Sequence, residues 1–310
     1  MKKRYLFILS LFCLGIYGLT QFSTYAAGDQ FSTVLLQLDT TQVNRVIITP
    51  SATKNQIQFY RLPDLGWQVT SGNVSTPALI ETVNDLLVAL NNVQTTRVVT
   101  NQETDWEDYG VGEEALQIEI ITQDDQIERI IVGGRAHLKA AMIDTTFARI
   151  PNENEVYALK QFTRQIFTHP FHFYRQRKVL QIDDYQEVNR VVLEQKDTLL
   201  RTKEGWKSTI GRTIDSTQLS NYFAQLNYLE GSYFADDFDE TQIATLPHQE
   251  LMISGDNINP TVQVKAYFDS TATLPFIIQS SQFPTIFYAS DSSGIYQKLF
   301  GIFADSMQFE

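Results

Sequence analysis

The sequence predicts an α+β protein in which one structural unit is used twice. Three observations predict it. The stretch from Leu38 to Ile48 (LDTTQVNRVII) returns from Ile182 to Leu193 (IDDYQEVNRVVL), with one extra residue and the same Val-Asn-Arg-Val core. Each copy is followed by runs in which apolar and polar residues alternate, as Leu116, Ile118 and Ile120 do with Gln117 and Glu119, which is the period of a half-buried strand. Each copy also carries an apolar stripe at helical spacing: Leu79, Val83, Leu86, Leu87 and Leu90 in the first, and Leu219, Tyr222, Phe223, Leu226 and Leu229 in the second. The expected architecture is a tandem duplication of an antiparallel sheet with one long packed helix and a short closing helix, occupying residues 35–170 and 179–310. Two copies make a pair of globular domains, not a solenoid.

Taken in order, residues 28–37 read as a spacer. Residues 43–49 read as a strand closed by Pro50, and residues 57–61 and 66–69 as its successors. The long helix is expected to start with Thr76 as N-cap and Pro77 in the first helical position. An acidic connector at 103–110 leads to a strand at 116–120, which turns at Asp124-Asp125 and returns through 127–132 to Gly133-Gly134. Short strands follow near 147–150 and 156–159. A closing helix from about Lys160 ends before His169-Pro170.

The second half repeats the order. Strand 188–193 opens it, Gly205-Trp206 answers Gly66-Trp67, and Asp215 or Ser216 caps the helix. A second acidic connector lies at 236–240, followed by strands near 251–254 and 262–267 that turn through Gly255-Asp256-Asn257. Phe287-Tyr288-Ala289 matches Val156-Tyr157-Ala158, and Ile295, Leu299 and Phe300 repeat the closing-helix spacing of Phe162, Ile166 and Phe167.

The N-terminus has a different character. Lys2-Lys3-Arg4 precede the uncharged run 5–19 and a patch of small residues ending at Ala26-Ala27, the pattern of an export signal. Residues 1–27 are therefore a signal peptide or a membrane anchor, and either places the remainder on the outer side of a bacterial inner membrane. Cys13 is the single cysteine and lies inside this segment, so the exported part has neither a disulfide nor a thiolate metal site. The formal charge of −12 becomes −15 once Lys2, Lys3 and Arg4 are set aside, a surface that repels nucleic acid and anionic lipid.

These residues resemble the bacterial family known as domain of unknown function 4340. The resemblance covers residues 35–310. It rests on the N-terminal apolar segment, the twice-used Asp…Val-Asn-Arg-Val strand, the Gly66-Trp67 step, Asp108-Tyr109-Gly110-Val111 ahead of a strand, and Tyr174-Arg175-Gln-Arg177-Lys-Val-Leu180 ahead of the second copy. The second copy departs from the pattern, with Leu246-Pro247 near the place of the Tyr109-Gly110 turn. The resemblance implies an outward-facing envelope protein associated with ABC-type transport components, some of the gliding-motility kind. It supplies no catalytic residue.

The residues themselves supply no reaction chemistry. His169 and His172 are spaced as metal ligands on a helix would be, but Pro170 between them breaks that helix, and His137 and His248 lie far off in sequence. The acidic sets Asp105/Glu107/Asp108 and Asp236/Asp237/Asp239/Glu240 lack the spacing of a calcium loop and read as a repeated solvated turn. Gly133-Gly134-Arg135 is too short to cradle a phosphate, and no Gly-x-Ser-x-Gly elbow occurs. Trp67 and Trp206 read as core, and Asn44 and Asn189 as fixing an edge or turn common to both copies.

The expectation is a non-enzymatic, envelope-anchored accessory protein with no catalytic residue, metal or cofactor. It would bind a membrane complex such as one of ABC-type transporter subunits, and Arg175, Arg177 and Lys178 are the candidate partner contacts. An exported hydrolase of envelope glycan or peptide using carboxylates in the cleft between the two expected domains is one alternative. A binding module for a small molecule or peptide is the other.

Overall fold

A computed structural model describes residues 34–50, 55–133 and 145–306, except 183, 195, 228, 239, 240, 242, 244 and 259. Residues 1–27, Gly134, Arg135, His137, Asp183, Asp239 and Glu240 therefore lie outside the described residues.

The α+β class expected from the sequence is overturned: the fold is mostly β. Strands hold 42% of the described residues, against three short helices. The strands are β1 (Val34–Gln37), β2 (Val43–Thr49), β3 (Ile57–Leu62), β4 (Gly66–Ser71), β5 (Val74–Pro77), β6 (Asn92–Thr100), β7 (Leu116–Thr122), β8 (Ile127–Val132), β9 (Phe147–Arg149) and β10 (Val156–Leu159). They continue with β11 (Val188–Leu193), β12 (Asp197–Thr202), β13 (Gly205–Ser208), β14 (His248–Gly255), β15 (Val262–Phe268), β16 (Phe276–Ser280) and β17 (Phe283–Ser290). The helices are α1 (Ile80–Asn91), α2 (Ser216–Asn227) and α3 (Ile295–Phe300).

One antiparallel sheet has the order β1-β6-β10-β9-β8-β7-β2-β3-β4-β5, and the other β13-β12-β11-β14-β15-β16-β17. The run β10-β9-β8-β7-β2-β3-β4 of the first is met again as β17-β16-β15-β14-β11-β12-β13 in the second. The chain separates into two compact units, 1–73 with 80–174, and 74–79 with 175–310.

The repeated Val-Asn-Arg-Val core encodes a β-bulge. In β2, Val43 stands opposite Thr122 but Arg45 opposite Ile121, so Asn44 is an extra residue. In a regular strand Val43 and Val46, three residues apart, would point to opposite faces; the bulge lets Val43, Val46 and Ile48 all be buried. Strand β11 makes the same step at Asn189, between Val188↔Gly255 and Arg190↔Ser254, and buries Val188, Val191 and Leu193. The Asn189 side-chain amide donates to the Asp256 carboxylate at 2.9 Å. An Asp four residues before each Val-Asn-Arg-Val core closes a turn: Asp39 accepts from the Thr41 amide and hydroxyl, at 3.0 and 2.6 Å. Asp184 accepts from the Gln186 amide at 2.8 Å.

The helices differ from expectation in length and in limits. Thr76 and Pro77 do not open α1; they belong to β5, and the helix starts at Ile80. Tertiary pairing decides this, because the Pro77 carbonyl accepts from the Gln176 amide at 2.9 Å and Thr76 is buried. Helix α1 is three turns long and buries Thr82, Val83, Leu86, Leu87 and Leu90. The closing helix expected from Lys160 is a single 3-10 turn over Arg164–Phe167. Helix α2 is capped by Asp215, whose carboxylate accepts from the Gln218 amide at 2.9 Å. No helix of the described residues is long and apolar enough to cross a membrane.

The acidic connectors keep Glu103, Glu107, Asp108, Asp236 and Asp237 exposed, as a solvated turn would, while their aromatic and apolar residues pack. In the first unit Trp106 and Tyr109 lie against Val111, Phe147 and Val156, with Arg149 stacked 3.7 Å over the Trp106 ring. In the second, Phe238 and Leu246 lie against Tyr267, Ile277 and Phe287.

Candidate binding site

The basic stretch singled out in the sequence is only partly exposed. Arg175 is buried, and its guanidinium donates two hydrogen bonds to the Asp236 carboxylate and lies 3.6 Å from the Phe234 ring centre. Asp236 belongs to the second acidic connector, so two clusters far apart in sequence meet. The Gln176 side-chain carbonyl accepts from the Arg177 and Lys178 amides, both at 3.0 Å, and holds this segment rigid. Arg177 and Lys178 keep half-buried side chains, and Arg177 lies 3.6 Å from Glu230. Val179 and Leu180 enter the core. Arg175 is thus an internal anchor, and the surface of this segment is offered by Arg177 and Lys178.

A groove of about 300 Å³ opens elsewhere in the second unit, lined by Tyr185, Arg201, Trp206, Ile214, Leu219 and Phe223 among others. Its aromatic wall comes from three elements. Phe223 of α2 has the Trp206 ring centre at 5.1 Å and the Tyr185 ring centre at 6.2 Å. Tyr185 sits in the 3-10 turn before β11, and Trp206 on β13 stands opposite Arg201 on β12. The turn beyond β13 is pinned from below. Asp197, fully buried, accepts from the Ser208 hydroxyl at 2.7 Å, and Arg212 reaches its carboxylate at 3.3 Å and the Ile302 carbonyl at 2.7 Å. The groove is therefore a rigid concavity with apolar walls and a polar rim.

Sequence reasoning treated Trp67 and Trp206 alike, since both follow a glycine at the same place in the repeat. They also hold the same register, Trp67 opposite Arg61 and Trp206 opposite Arg201. Trp67 is 7% exposed and belongs to the core, whereas Trp206 is half-buried and open to the groove. Tyr185 lies in the repeated opening stretch but carried no functional signal there. One signal was available. Residues 196–212 hold five basic side chains, Lys196, Arg201, Lys203, Lys207 and Arg212, against Asp197 and Glu204, in a chain of net charge −12.

Residues with metal-binding chemistry are placed as follows. His169 stacks on Phe173, ring centres 3.8 Å apart, and His172 is exposed. Ligand atoms of Glu194, His248 and Glu250 lie within 4.8 Å of one another, so these three could hold a divalent ion; Lys265 already stands 3.7 Å from Glu250. The first acidic set spends Asp105 on the Thr100 hydroxyl at 2.5 Å.

No curated protein and no solved structure matches the chain. One family does. Residues 67–247, more than half of the chain, match the family described as Domain of unknown function (DUF4340). The match runs from the Gly66-Trp67 step through both acidic connectors to the start of β14. The chain belongs to the DUF4340 family.

Proposed function

We propose that this chain is a non-catalytic binding protein of the bacterial envelope, exported or anchored through residues 1–27. Its second unit would grip a component of a membrane complex, of the ABC-type transport or gliding-motility kind. The observation that carries this reading is the groove between Trp206 and α2, which joins an aromatic wall to a polar rim carrying Arg201 and Glu204. Its lining holds one carboxylate, Glu204, where hydrolysis of a glycan by paired carboxylates needs two, so the groove favours binding over cleavage. Its volume also suits a small ligand, the second reading.

The test is cross-linked affinity purification from native membranes with the full chain and with its Arg201→Glu variant, bound proteins being identified by mass spectrometry. Recovery of transporter permease or ATPase subunits, reduced by Arg201→Glu, is the expected result. Recovery of the protein alone overturns the membrane-complex reading.

A further inference from the structure

We infer that the groove takes an extended acidic peptide, which adds a strand to the outer edge of β13 and drops an apolar side chain between Trp206, Tyr185 and Phe223. The inference rests on the binding reading above and names the chemistry of the partner.

The edge comes first. Strand β13 ends its sheet. It is joined to β12 by a two-residue turn with Thr202 opposite Gly205, and the Thr209 amide donates to the Thr198 carbonyl at 2.9 Å. In an antiparallel pair, residues bonded to the neighbour alternate with residues whose N–H and C=O face away. Gly205 and Lys207 are therefore turned to β12, and Trp206 and Ser208 outward. The Ser208 carbonyl is taken by the Gly211 amide at 3.2 Å, which leaves the Trp206 N–H and C=O and the Ser208 N–H for an incoming strand. The opposite end of the same sheet is closed. Along β17 the Ala235 amide donates to the Phe287 carbonyl and the Ala289 amide to the Tyr233 carbonyl, both at 2.9 Å. Among the described residues, no segment does this for β13.

The side chains select the occupant. A strand laid along β13 alternates its side chains between the two faces. Those on the face shared by Trp206 and Phe223 enter the groove, whose floor of Leu219, Phe223 and Ile214 calls for an apolar anchor. At the tip of the β12–β13 hairpin, residues 201–207, Arg201, Lys203 and Lys207 stand against the single carboxylate Glu204, which pairs with Lys207. The net positive charge that Arg201 on the rim and Lys203 in the turn leave there calls for carboxylates beside that anchor. Main-chain pairing gives affinity and the pocket gives selectivity, the division of labour in strand addition.

The experiment uses the full chain in detergent micelles and three fluorescent eight-residue peptides, read by anisotropy. The first alternates apolar and acidic residues around one phenylalanine. The second replaces its carboxylates by lysines, and the third is the first with alternate backbone nitrogens methylated. The acidic peptide is expected to bind at least about tenfold more tightly than either other form. Binding should weaken by a similar factor in Arg201→Glu and in Trp206→Ala, with circular dichroism and unfolding midpoints of both variants confirming that they remain folded. Arg201 also donates to the Gln186 carbonyl, so Arg201→Gln, which keeps a donor there but removes the charge, is the control. Amide exchange should slow at Trp206 and Ser208 on binding. Equal binding of the acidic and lysine peptides, or indifference to N-methylation, overturns the inference. If no peptide binds while native membranes still yield a partner sensitive to Arg201→Glu, the peptide inference falls and the binding function stands. If both fail, both fall.

Discussion

Arg175 donates to both carboxylate oxygens of Asp236, at 2.6 and 2.8 Å. The arginine side chain is 3% exposed and the aspartate side chain 34%, so the cation is the deeply desolvated partner. Removing the anion should therefore strand a buried charge. Asp236→Ala is expected to cost about 3 kcal/mol, the lower end of the range for broken buried pairs because water still reaches the carboxyl. The double change Arg175→Met with Asp236→Leu should cost much less, since neither charge is then left alone. Urea unfolding midpoints at unchanged m values decide between these outcomes.

The two tryptophans of the repeat should separate stability from binding. Trp67→Ala removes a core side chain and is expected to cost roughly 3–5 kcal/mol. Trp206→Ala, at a half-open site, should cost about 1–2 kcal/mol while weakening peptide binding about tenfold. Equal losses of stability in the two variants would contradict the assignment of Trp206 to the groove.

The bulge of β11 admits no side chain at its partner. A Cβ added to Gly255 would stand 2.0 Å from the Glu187 carbonyl oxygen, which is backbone and cannot swing away. Gly255→Ala should destabilise by about 2–3 kcal/mol. Asn189→Ala, which loses only the hydrogen bond to Asp256, should cost about 1 kcal/mol. Thermal unfolding of the two variants side by side tests the order.

Alkaline pH should unfold the protein through its buried tyrosines. Burial raises Tyr174, Tyr222 and Tyr288 above the ordinary phenol value of 10.0, and pushes Tyr296 up to about 12. The hydroxyls are spent on carbonyls: Tyr174 donates to Ile166 at 2.7 Å and Tyr222 to Leu299 at 3.0 Å. Above pH 10 the unfolded chain loses these protons while the native chain keeps them, so stability falls as pH rises from 10 through 12. Below pH 10 these groups contribute no pH dependence. Exposed tyrosines ionise without unfolding, so the expected observation is a late step in tyrosinate absorbance that coincides with loss of near-ultraviolet dichroism; complete ionisation of the tyrosines with the dichroism retained would refute it.

What the sequence made legible was local and repeated. The strand carrying Val-Asn-Arg-Val, the Asp215 cap and the short helix over Ile295–Phe300 all follow from patterns a few residues long. The class was misread because apolar stripes on helices are conspicuous, whereas several strands have no stripe at all. Strand β6 (NVQTTRVVT) lies between β1 and β10, yet only Val93 and Thr95 of its nine residues are buried, so its alternation is faint. Strand β5 ends in a proline that reads more naturally as a helix start.

The site was harder still. Tyr185, Trp206 and Phe223 come together only once β11, β13 and α2 are in place, and a half-open tryptophan has no signature that separates it from a buried one. The acidic connectors were legible only in part: most of their described carboxylates are exposed, as expected, but the packing between them was not read. Their charges drew attention away from Trp106, Tyr109 and Phe238, which do the packing.

The membership of the two compact units has a consequence for how the chain is made. Residues Val74–Leu79 belong with Arg175–Glu310, so the second unit is assembled from pieces synthesised roughly a hundred residues apart. During translation this short early segment must wait for its partners in the second unit until the chain beyond Arg175 has been made. Its bridge from Ala78 to Arg175 and the bond from the Gln176 amide to the Pro77 carbonyl can close only when the ribosome has passed the joint. A gene cut between the two repeats would thus yield a second half with a missing piece, one that a six-residue peptide could restore in trans.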